Sequence, residues 1–91
     1  MPVYIDNARI PFGRMLMNHM IADTVDELHA MADAIGMKRE WFQPESFPHY
    51  DVCLMRKSQA LALGAFDVPT QRRFALIMRA IRAANAPAPT S

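Results

Sequence analysis

The sequence predicts the α+β class, with a small sheet of two to three strands packed against about three helices. An apolar stretch at residues 15–22 alternates as a strand does, and a helix with clear start and stop signals follows it directly. A second stretch, residues 74–81, repeats apolar residues at helical spacing. The chain has 91 residues, 52% of them hydrophobic, so we expect residues 1–85 to form a single domain with one modest core.

The strands are predicted near the start of the chain. Residues 3–6 (VYID) alternate β-branched and aromatic side chains, as a short strand does. Residues 8–14 contain Pro11 and Gly13, so we interpret them as a connection that returns the chain to a second strand at residues 15–22, antiparallel to the first. Both faces of the second strand are apolar, which indicates a central position in the sheet.

The first helix has a capping box at its start. The Thr24 hydroxyl is expected to accept a hydrogen bond from the Glu27 amide, while the Glu27 carboxylate reaches back to the Thr24 amide. Acidic residues in the first turn suit the helix dipole, and Gly36 supplies a left-handed stop. The buried stripe of this helix is predicted to be Leu28, Met31, Ala32 and Ile35.

The middle of the chain is less regular. Pro44 and Pro48 exclude a long element between residues 37 and 50, although residues 38–42 can form one helical turn. Asp51 is predicted to cap a second helix that runs from residue 52 to about residue 63 and ends at Gly64.

An edge strand and a third helix complete the predicted domain. The strand is expected at residues 65–68 (AFDV), and the helix from Thr70 to near Asn85. From residue 69 onward the chain carries four arginines and no acid, so the third helix is expected to present a basic face opposite its apolar stripe. Residues 86–91 (APAPTS) are expected to be a disordered tail.

The composition of the chain limits the classes of protein to which it can belong. The apolar runs are shorter than the roughly 18 residues that a membrane span requires, and no basic-then-apolar leader is present. Cys53 has no second cysteine to pair with, which fits a reducing compartment. We therefore expect a cytoplasmic protein without a membrane partner. Its net charge of +1 favours neither nucleic acid nor membrane as a partner.

Three histidines are candidates for chemistry. His19 lies on the predicted central strand, His29 at the edge of the buried face of the first helix, and His49 just before the second helix. With Asp51 they form our predicted catalytic set, on the expectation that they converge at one end of the sheet. Imidazoles and carboxylates, including that of Asp6, would suit a zinc, manganese or iron ion. No pair has a recognised metal spacing, and half-buried structural histidines are the alternative.

Basic side chains suggest a phosphate-bearing ligand, either a nucleotide or nucleic acid. Guanidinium groups bind phosphate bidentately, and a neighbouring imidazole can transfer protons near neutral pH. The predicted ligand-binding residues are Arg9, Arg14, Tyr50 and Arg56. Exposed ion pairs are the alternative role of the arginines. The first functional hypothesis is therefore a small phosphate-ligand-binding protein, with metal-dependent hydrolysis as its candidate activity. No P-loop, GxGxxG or GxSxG signature is present.

Eight methionines support a second hypothesis, a non-enzymatic interaction module or homo-oligomeric accessory protein. Met15, Met17, Met20 and Met31 are either adaptable core residues or a surface that meets a partner, and a homodimer would add to a limited core. The sequence leaves open which hypothesis holds, and whether the protein is an enzyme. Cys53 is expected to be an inert packed thiol rather than a nucleophile.

Several short motifs resemble one protein family. They are Tyr4-x-Asp6, Ala8-Arg9, Glu27-Leu28-His29, Trp41-Phe42, His49-Tyr50-Asp51 and Gly64-Ala65. This pattern is similar to that of a family of short bacterial and phage proteins, DUF4031, described only as a domain of unknown function. The resemblance implies a self-contained domain and a bacterial or phage origin, and it implies no catalytic role. It covers residues 3 to about 68, so the third helix is expected to lie outside it.

Overall fold

The computed structural model describes residues 2–86, and its helices and strands confirm the α+β class. The strands are β1 (Val3–Ile5), β2 (Ile10–Phe12), β3 (Met15–Ala22), β4 (Tyr50–Cys53) and β5 (Phe66–Asp67). The helices are α1 (Val25–Ala34), α2 (Leu54–Ala62) and α3 (Gln71–Ala84), with a 3₁₀ turn at Arg39–Trp41. Within these residues the sheet has five strands, more than the two to three predicted. Apart from Ala86, the predicted disordered tail lies outside the described residues.

β3 is the central strand of the sheet, as its two apolar faces predicted. Met20 pairs with Ile5 of β1 and with Tyr50 of β4, so β1 and β4 lie on opposite edges of β3. Met17 is likewise paired on both sides, by β2 and by β4. β1 and β2 therefore follow one another along the same edge, antiparallel to β3, and β5 adds to β1 in parallel.

The prediction that residues 8–14 are only a connection was wrong. Ile10–Phe12 form β2, which is joined to β3 by a turn in which Gly13 has a positive φ of 61°. All three residues of β2 are exposed, so the strand has no alternation of buried and exposed side chains that a pattern search could detect. Pro11 is tolerated because an edge strand has one side without ladder hydrogen bonds.

The predicted cap at Asp51 was also wrong. Asp51 lies within β4, and α2 starts only at Leu54, after Cys53, whose side chain makes no capping hydrogen bond. Tyr50 and Val52 are both 0% exposed, and pairing with β3 places them in the core. Burial of these two side chains outweighs the local preference of aspartate for a helix start.

The starts of α1 and α3 agree with the sequence. The Thr24 hydroxyl oxygen accepts from the Glu27 amide at 3.2 Å, and the Thr70 oxygen accepts from the Arg73 amide at 3.2 Å. One detail of the capping box differs: the Glu27 carboxylate accepts a hydrogen bond from the Thr24 hydroxyl, at 2.8 Å, instead of from the Thr24 amide. Gly36 adopts the predicted left-handed conformation, with φ of 76°.

The sheet has two different faces. The closed face packs against α1 and α2 and forms the main core, which includes Val3, Ile5, Met20, Tyr50 and Val52. The open face carries the alternate side chains of the same strands, and α3 packs over only part of it, around Ile21 and Phe74. Since neighbouring residues of a strand point to opposite faces, β3 and β4 direct His19 and Asp51 to the open face.

None of the helices among residues 2–86 has the length and apolar composition needed to cross a bilayer. Two of the predicted core methionines, Met20 and Met31, are buried, whereas Met15 is 44% exposed.

Candidate metal centre

Two histidines and one aspartate meet on the open face. His19 and Asp51 are register partners across β3 and β4, and His49 lies two residues before Asp51, so its side chain shares the face. The Asp51 Oδ1 atom lies 4.0 Å from His19 Nε2 and 3.6 Å from His49 Nε2. One ligand atom from each of the three residues lies within 4.8 Å of the others. Both distances are longer than a hydrogen bond, so neither ring donates to Oδ1.

His19 is held by Asp6, a fully buried carboxylate that follows β1. One Asp6 oxygen lies 2.6 Å from His19 Nδ1, and the other accepts from the His19 amide at 2.8 Å and from the Ala8 amide at 3.2 Å. An ionised carboxylate can only accept hydrogen bonds, so Nδ1 carries a proton, and the neutral form of the ring has its lone pair on Nε2. Asp6 thereby fixes both the orientation and the tautomer of His19.

The pKa values of this pair move in opposite directions. Burial alone would raise the pKa of Asp6, but hydrogen bonds from the His19 ring, the His19 amide and the Ala8 amide outweigh it and lower the pKa below its usual value. The hydrogen bond to Asp6 raises the pKa of His19, against the opposing effect of burial, and the charges of Asp6 and Asp51 add to the increase. Asp6 is therefore ionised at neutral pH, as its supporting role requires.

His49 and Asp51 are oriented by other groups. The Nδ1 atom of His49 lies 2.7 Å from the Phe47 carbonyl oxygen, which can only accept, so Nδ1 carries a proton and Nε2 is the nitrogen that faces Asp51. The Gln43 side-chain amide donates to Asp51 Oδ2 at 2.8 Å, so the other oxygen, Oδ1, is the one near the imidazoles. Gln43 and His49 are in turn joined by two backbone hydrogen bonds. Gln43 and Phe47 were not predicted as site residues, because they lie in an irregular segment without a recognisable sequence pattern.

The three residues are of types that could hold a metal ion. Two imidazoles and one carboxylate are a ligand set that zinc and iron accept, and three protein ligands leave coordination positions open. Two donors bonded to one tetrahedral ion at about 2.0–2.2 Å lie about 3.3–3.6 Å apart. The 3.6 Å between Asp51 Oδ1 and His49 Nε2 is close to this spacing, whereas His19 Nε2, 4.0 Å from Oδ1, has to move nearer for the three donors to share one ion. A cavity of about 200 Å³, whose lining includes Ile21, Phe47, Phe74 and Met78, adjoins both histidines.

His29 does not join the other two histidines. Its Nδ1 atom lies 2.7 Å from the Tyr50 hydroxyl, and its ring packs edge-on against Phe42 with the centroids 4.7 Å apart. α1 packs on the closed face, so it carries His29 away from the open face on which His19 and His49 lie. Tyr50, predicted as a ligand-binding residue, is fully buried, and burial raises its pKa.

The predicted arginines lie in three separate places. Arg9 is exposed and donates to the Asn7 side chain at 3.0 Å, Arg14 lies exposed in the turn between β2 and β3, and Arg56 donates to the Ile35 carbonyl. The structure does not bring them to the histidines, so their role in ligand binding stays a prediction. Lys57 is nearly buried and donates to the Asp6 carbonyl at 2.9 Å, where it supports the loop that carries Asp6.

One protein family covers most of the chain. The family described as "Protein of unknown function (DUF4031)" matches residues 3–81. The chain belongs to this family. The match extends into α3, so the expectation that the third helix lies outside the family pattern was wrong, and the helix over the candidate centre is part of the family domain. No curated protein and no solved structure matches the chain. Family membership assigns no activity, so function has to be argued from the site.

Proposed function

We propose that the protein is a divalent-metal-dependent hydrolase of phosphate-bearing small molecules, with His19, His49 and Asp51 as its metal ligands. One observation supports this most: two imidazole nitrogens and a carboxylate oxygen lie within 4.8 Å of one another. The hydrogen bonds of both Nδ1 atoms add to it, because they leave the Nε2 lone pairs available to an ion.

Two neighbouring residues hold the proposed metal ligands in place. Asp6 holds the His19 ring and balances positive charge, and Gln43 fixes the Asp51 carboxylate. A divalent ion bound by His19, His49 and Asp51 would supply Lewis-acid chemistry: it would polarise a phosphoryl oxygen and lower the pKa of a coordinated water. In the reaction, the oxygen of water forms a new bond to phosphorus while the ester P–O bond breaks. One proton of the water goes to the leaving alcohol, and the other is released or stays on the phosphate.

The charge of the site fits an anionic substrate. The carboxylates of Asp6 and Asp51 together carry two negative charges, which one divalent ion neutralises. An approaching phosphate ester therefore meets a site without net negative charge, and the ion takes the place of the arginine cluster that the sequence suggested.

Metal titration tests the ligand set. Protein stripped with a chelator is titrated with Zn²⁺, Mn²⁺ and Co²⁺ by calorimetry, and the Co²⁺ spectrum reports coordination number. We expect one ion per chain, with an affinity that falls more than about 100-fold in Asp51→Asn, beyond the roughly 10–100-fold typical of a lost outer-shell partner. His29→Gln, on the closed face, is the matched control and should bind as the wild type does. Equal binding by Asp51→Asn would refute the ligand set.

Hydrolysis is tested separately. The metal-loaded protein is assayed with the monoester 4-nitrophenyl phosphate and with the diester bis(4-nitrophenyl) phosphate. We expect release of 4-nitrophenol that requires the added metal and is lost in His49→Gln. Circular dichroism of the variant establishes that it is folded. Stoichiometric metal binding without cleavage of any phosphate ester would leave a metal-binding protein and remove the hydrolase.

A self-associating module is the second candidate function. Phe66 and Leu76 are 57% and 56% exposed, and they line one apolar patch with Tyr4 and Ile77 between β5 and α3. Exposed apolar patches of this kind mark interaction surfaces. Light scattering after size exclusion tests whether this patch forms a homodimer: a dimer that Leu76→Glu dissociates supports the module, whereas a wild-type monomer at high concentration contradicts it.

A further inference from the structure

A larger cavity adjoins Asp51 on the side of the β2–β3 hairpin. Its volume is about 580 Å³, within the range of about 300–1,000 Å³ that small-molecule sites occupy. We call it the aromatic pocket. Its apolar lining consists of Phe12, Met15, Met17, Met37, Trp41, Phe42 and Cys53. Met37 is buried in the main core and Phe42 packs against that core, whereas the other side chains border the space between the hairpin and the 3₁₀ turn.

The aromatic pocket gathers large apolar side chains that are only partly covered. Phe12 is 67% exposed, and Trp41 and Met15 are each 44% exposed. They come from two segments far apart in the chain, so local sequence does not explain why they meet. Single exposed apolar residues are common on protein surfaces, but a concave group of them indicates a binding site. The Lys38 ammonium, 5.6 Å from the centroid of the Trp41 ring, adds a positive charge beside the pocket.

Asp51 connects the aromatic pocket to the candidate metal centre. Its Oδ2 atom accepts from Gln43, which lines the pocket, while Oδ1 is directed toward the two histidines. Glu40 and Arg56 also line the pocket, so an acceptor, an amide and a guanidinium surround an otherwise apolar space. A few placed polar groups in an aromatic setting are what recognition of a planar heterocycle requires.

We propose that the aromatic pocket binds the base of a nucleoside monophosphate, whose phosphate group reaches the metal centre. This inference rests on the proposed function, since it names the substrate class of the same site. The base stacks against Trp41 and Phe12, and its polar edge meets Glu40 or Gln43. Because the lining holds two carboxylates, Glu40 and Asp51, and the one guanidinium of Arg56, we assign the phosphate to the metal centre and only the base to the pocket.

A free nucleotide fits this pocket better than a nucleic-acid strand. Among the residues that the structure describes, Arg56 is the one lysine or arginine that lines it. Binding of a single strand draws on a groove of positive charges that follows several successive phosphates. The exposed arginines of α3, such as Arg72 and Arg79, are not part of the lining and provide no such track into it.

The single tryptophan of the chain, Trp41, makes binding directly measurable. Fluorescence of the Zn²⁺-loaded protein is titrated with adenosine 5′-monophosphate and with ribose 5-phosphate, which has the phosphate but no base. We expect the nucleotide to quench Trp41 and to bind at least tenfold more tightly than the sugar phosphate, because stacking contributes only in the nucleotide. Equal affinity of the two ligands would overturn the proposal and leave the metal-dependent hydrolase standing.

A matched pair of variants locates the base. Phe12→Ala should weaken nucleotide binding about tenfold and leave zinc affinity unchanged. Met55→Ala, which removes another exposed apolar side chain that does not line the pocket, should change neither. If Phe12→Ala binds the nucleotide as tightly as the wild type does, the base lies elsewhere and the proposal fails. Both side chains are exposed, so both variants are expected to fold.

Two further arms separate this proposal from its alternatives. Adenosine without phosphate is titrated into metal-free protein, because stacking does not need the ion: quenching there supports the pocket even if zinc does not bind and the proposed function fails. An oligonucleotide that binds more than tenfold tighter than the mononucleotide would assign the pocket to nucleic acid. A dimer that Phe12→Ala dissociates, without quenching by any nucleotide, would assign it to a second copy of the chain.

Discussion

On the closed face of the sheet His29 shares a hydrogen bond with a buried tyrosine hydroxyl and packs against Phe42, whereas on the open face the Nε2 atoms of His19 and His49 lie 4.0 Å and 3.6 Å from one carboxylate oxygen. Both regions are built from the same two strands, β3 and β4. They differ in what packs over them, because α1 and α2 cover one face and α3 covers only part of the other.

Because of this difference, we expect the closed face to contribute mainly to the stability of the fold and the open face mainly to ligand binding. Side chains of the closed face are surrounded by apolar neighbours, so their contribution lies in burial. The polar side chains of the open face are oriented by Asp6, Gln43 and a backbone carbonyl, so their contribution lies in geometry. If this division is correct, changes on one face will alter folding and changes on the other will alter ligand affinity.

The largest expected effect is a loss of stability on the closed face. Leu28→Ala, at a side chain only 1% exposed, should lower the free energy of unfolding by about 2–5 kcal/mol because it leaves a cavity. Met78→Ala, at a half-buried side chain of α3, should cost less than half as much. Urea denaturation monitored by circular dichroism measures both. Equal losses would show that α3 contributes to the core as much as α1 does.

The next largest effect is a loss of metal affinity when Asp6 no longer orients His19 on the open face. In Asp6→Asn the new amide directs an N–H group at Nδ1, so the ring moves its proton to Nε2 and loses the lone pair needed for a metal. We expect metal affinity to fall about 10–100-fold, measured by calorimetry on protein shown to be folded. Asp33→Asn, which breaks an exposed ion pair with Arg39, is the control and should leave metal affinity unchanged.

The contribution of a helix cap to stability should not depend on the face of the sheet against which the helix packs. Thr24→Ala in α1 and Thr70→Ala in α3 each remove a hydroxyl that accepts from an amide at 3.2 Å. Each should reduce stability by about 1 kcal/mol. Replacement by serine, which keeps the hydroxyl, should restore most of the loss in both helices. A much larger loss for Thr24→Ala would mean that the closed face depends on the helix start as well as on burial.

The smallest effect is the response of the closed face to alkaline pH. Burial raises the pKa of Tyr50 above its ordinary value of 10.0, so the neutral phenol is favoured in the folded state. Its contribution to stability is complete below pH 10.0, the value of the unfolded chain, and is lost as pH rises through the higher folded pKa. Above pH 10 the free energy of unfolding of the wild type should therefore fall more steeply than that of Tyr50→Phe. Parallel curves would contradict the burial of an uncharged phenol.

Where local signals were strong, the sequence predicted the fold well. Thr24 with Glu27, and Thr70 with its apolar stripe, indicated α1 and α3, and the alternation of residues 15–22 indicated the central strand. The errors fell on β2, whose residues are all exposed, and on β4, whose start was interpreted as a helix cap. In both cases the strand exists because of its pairing with β3, and pairing between distant segments leaves no local pattern.

The types of residue in the candidate site could be predicted from the sequence, but the sequence did not show which of the named residues lie together. His19, His49 and Asp51 were named from sequence, and they meet because β3 and β4 pair in one register. His29 was named with them, but a helix on the other face carries it. The arginines were grouped by chemistry alone, and the fold distributes them over separate surfaces.

Composition and periodicity by themselves determined that this chain forms an α+β fold with a capped first helix and an amphipathic last one, because these features depend on contacts between residues a few positions apart. Only the tertiary structure decided which polar side chains share a face. A strand sends neighbouring residues in opposite directions, so the pairing partner and register of β4, set by burial of Tyr50 and Val52, bring Asp51 to His19.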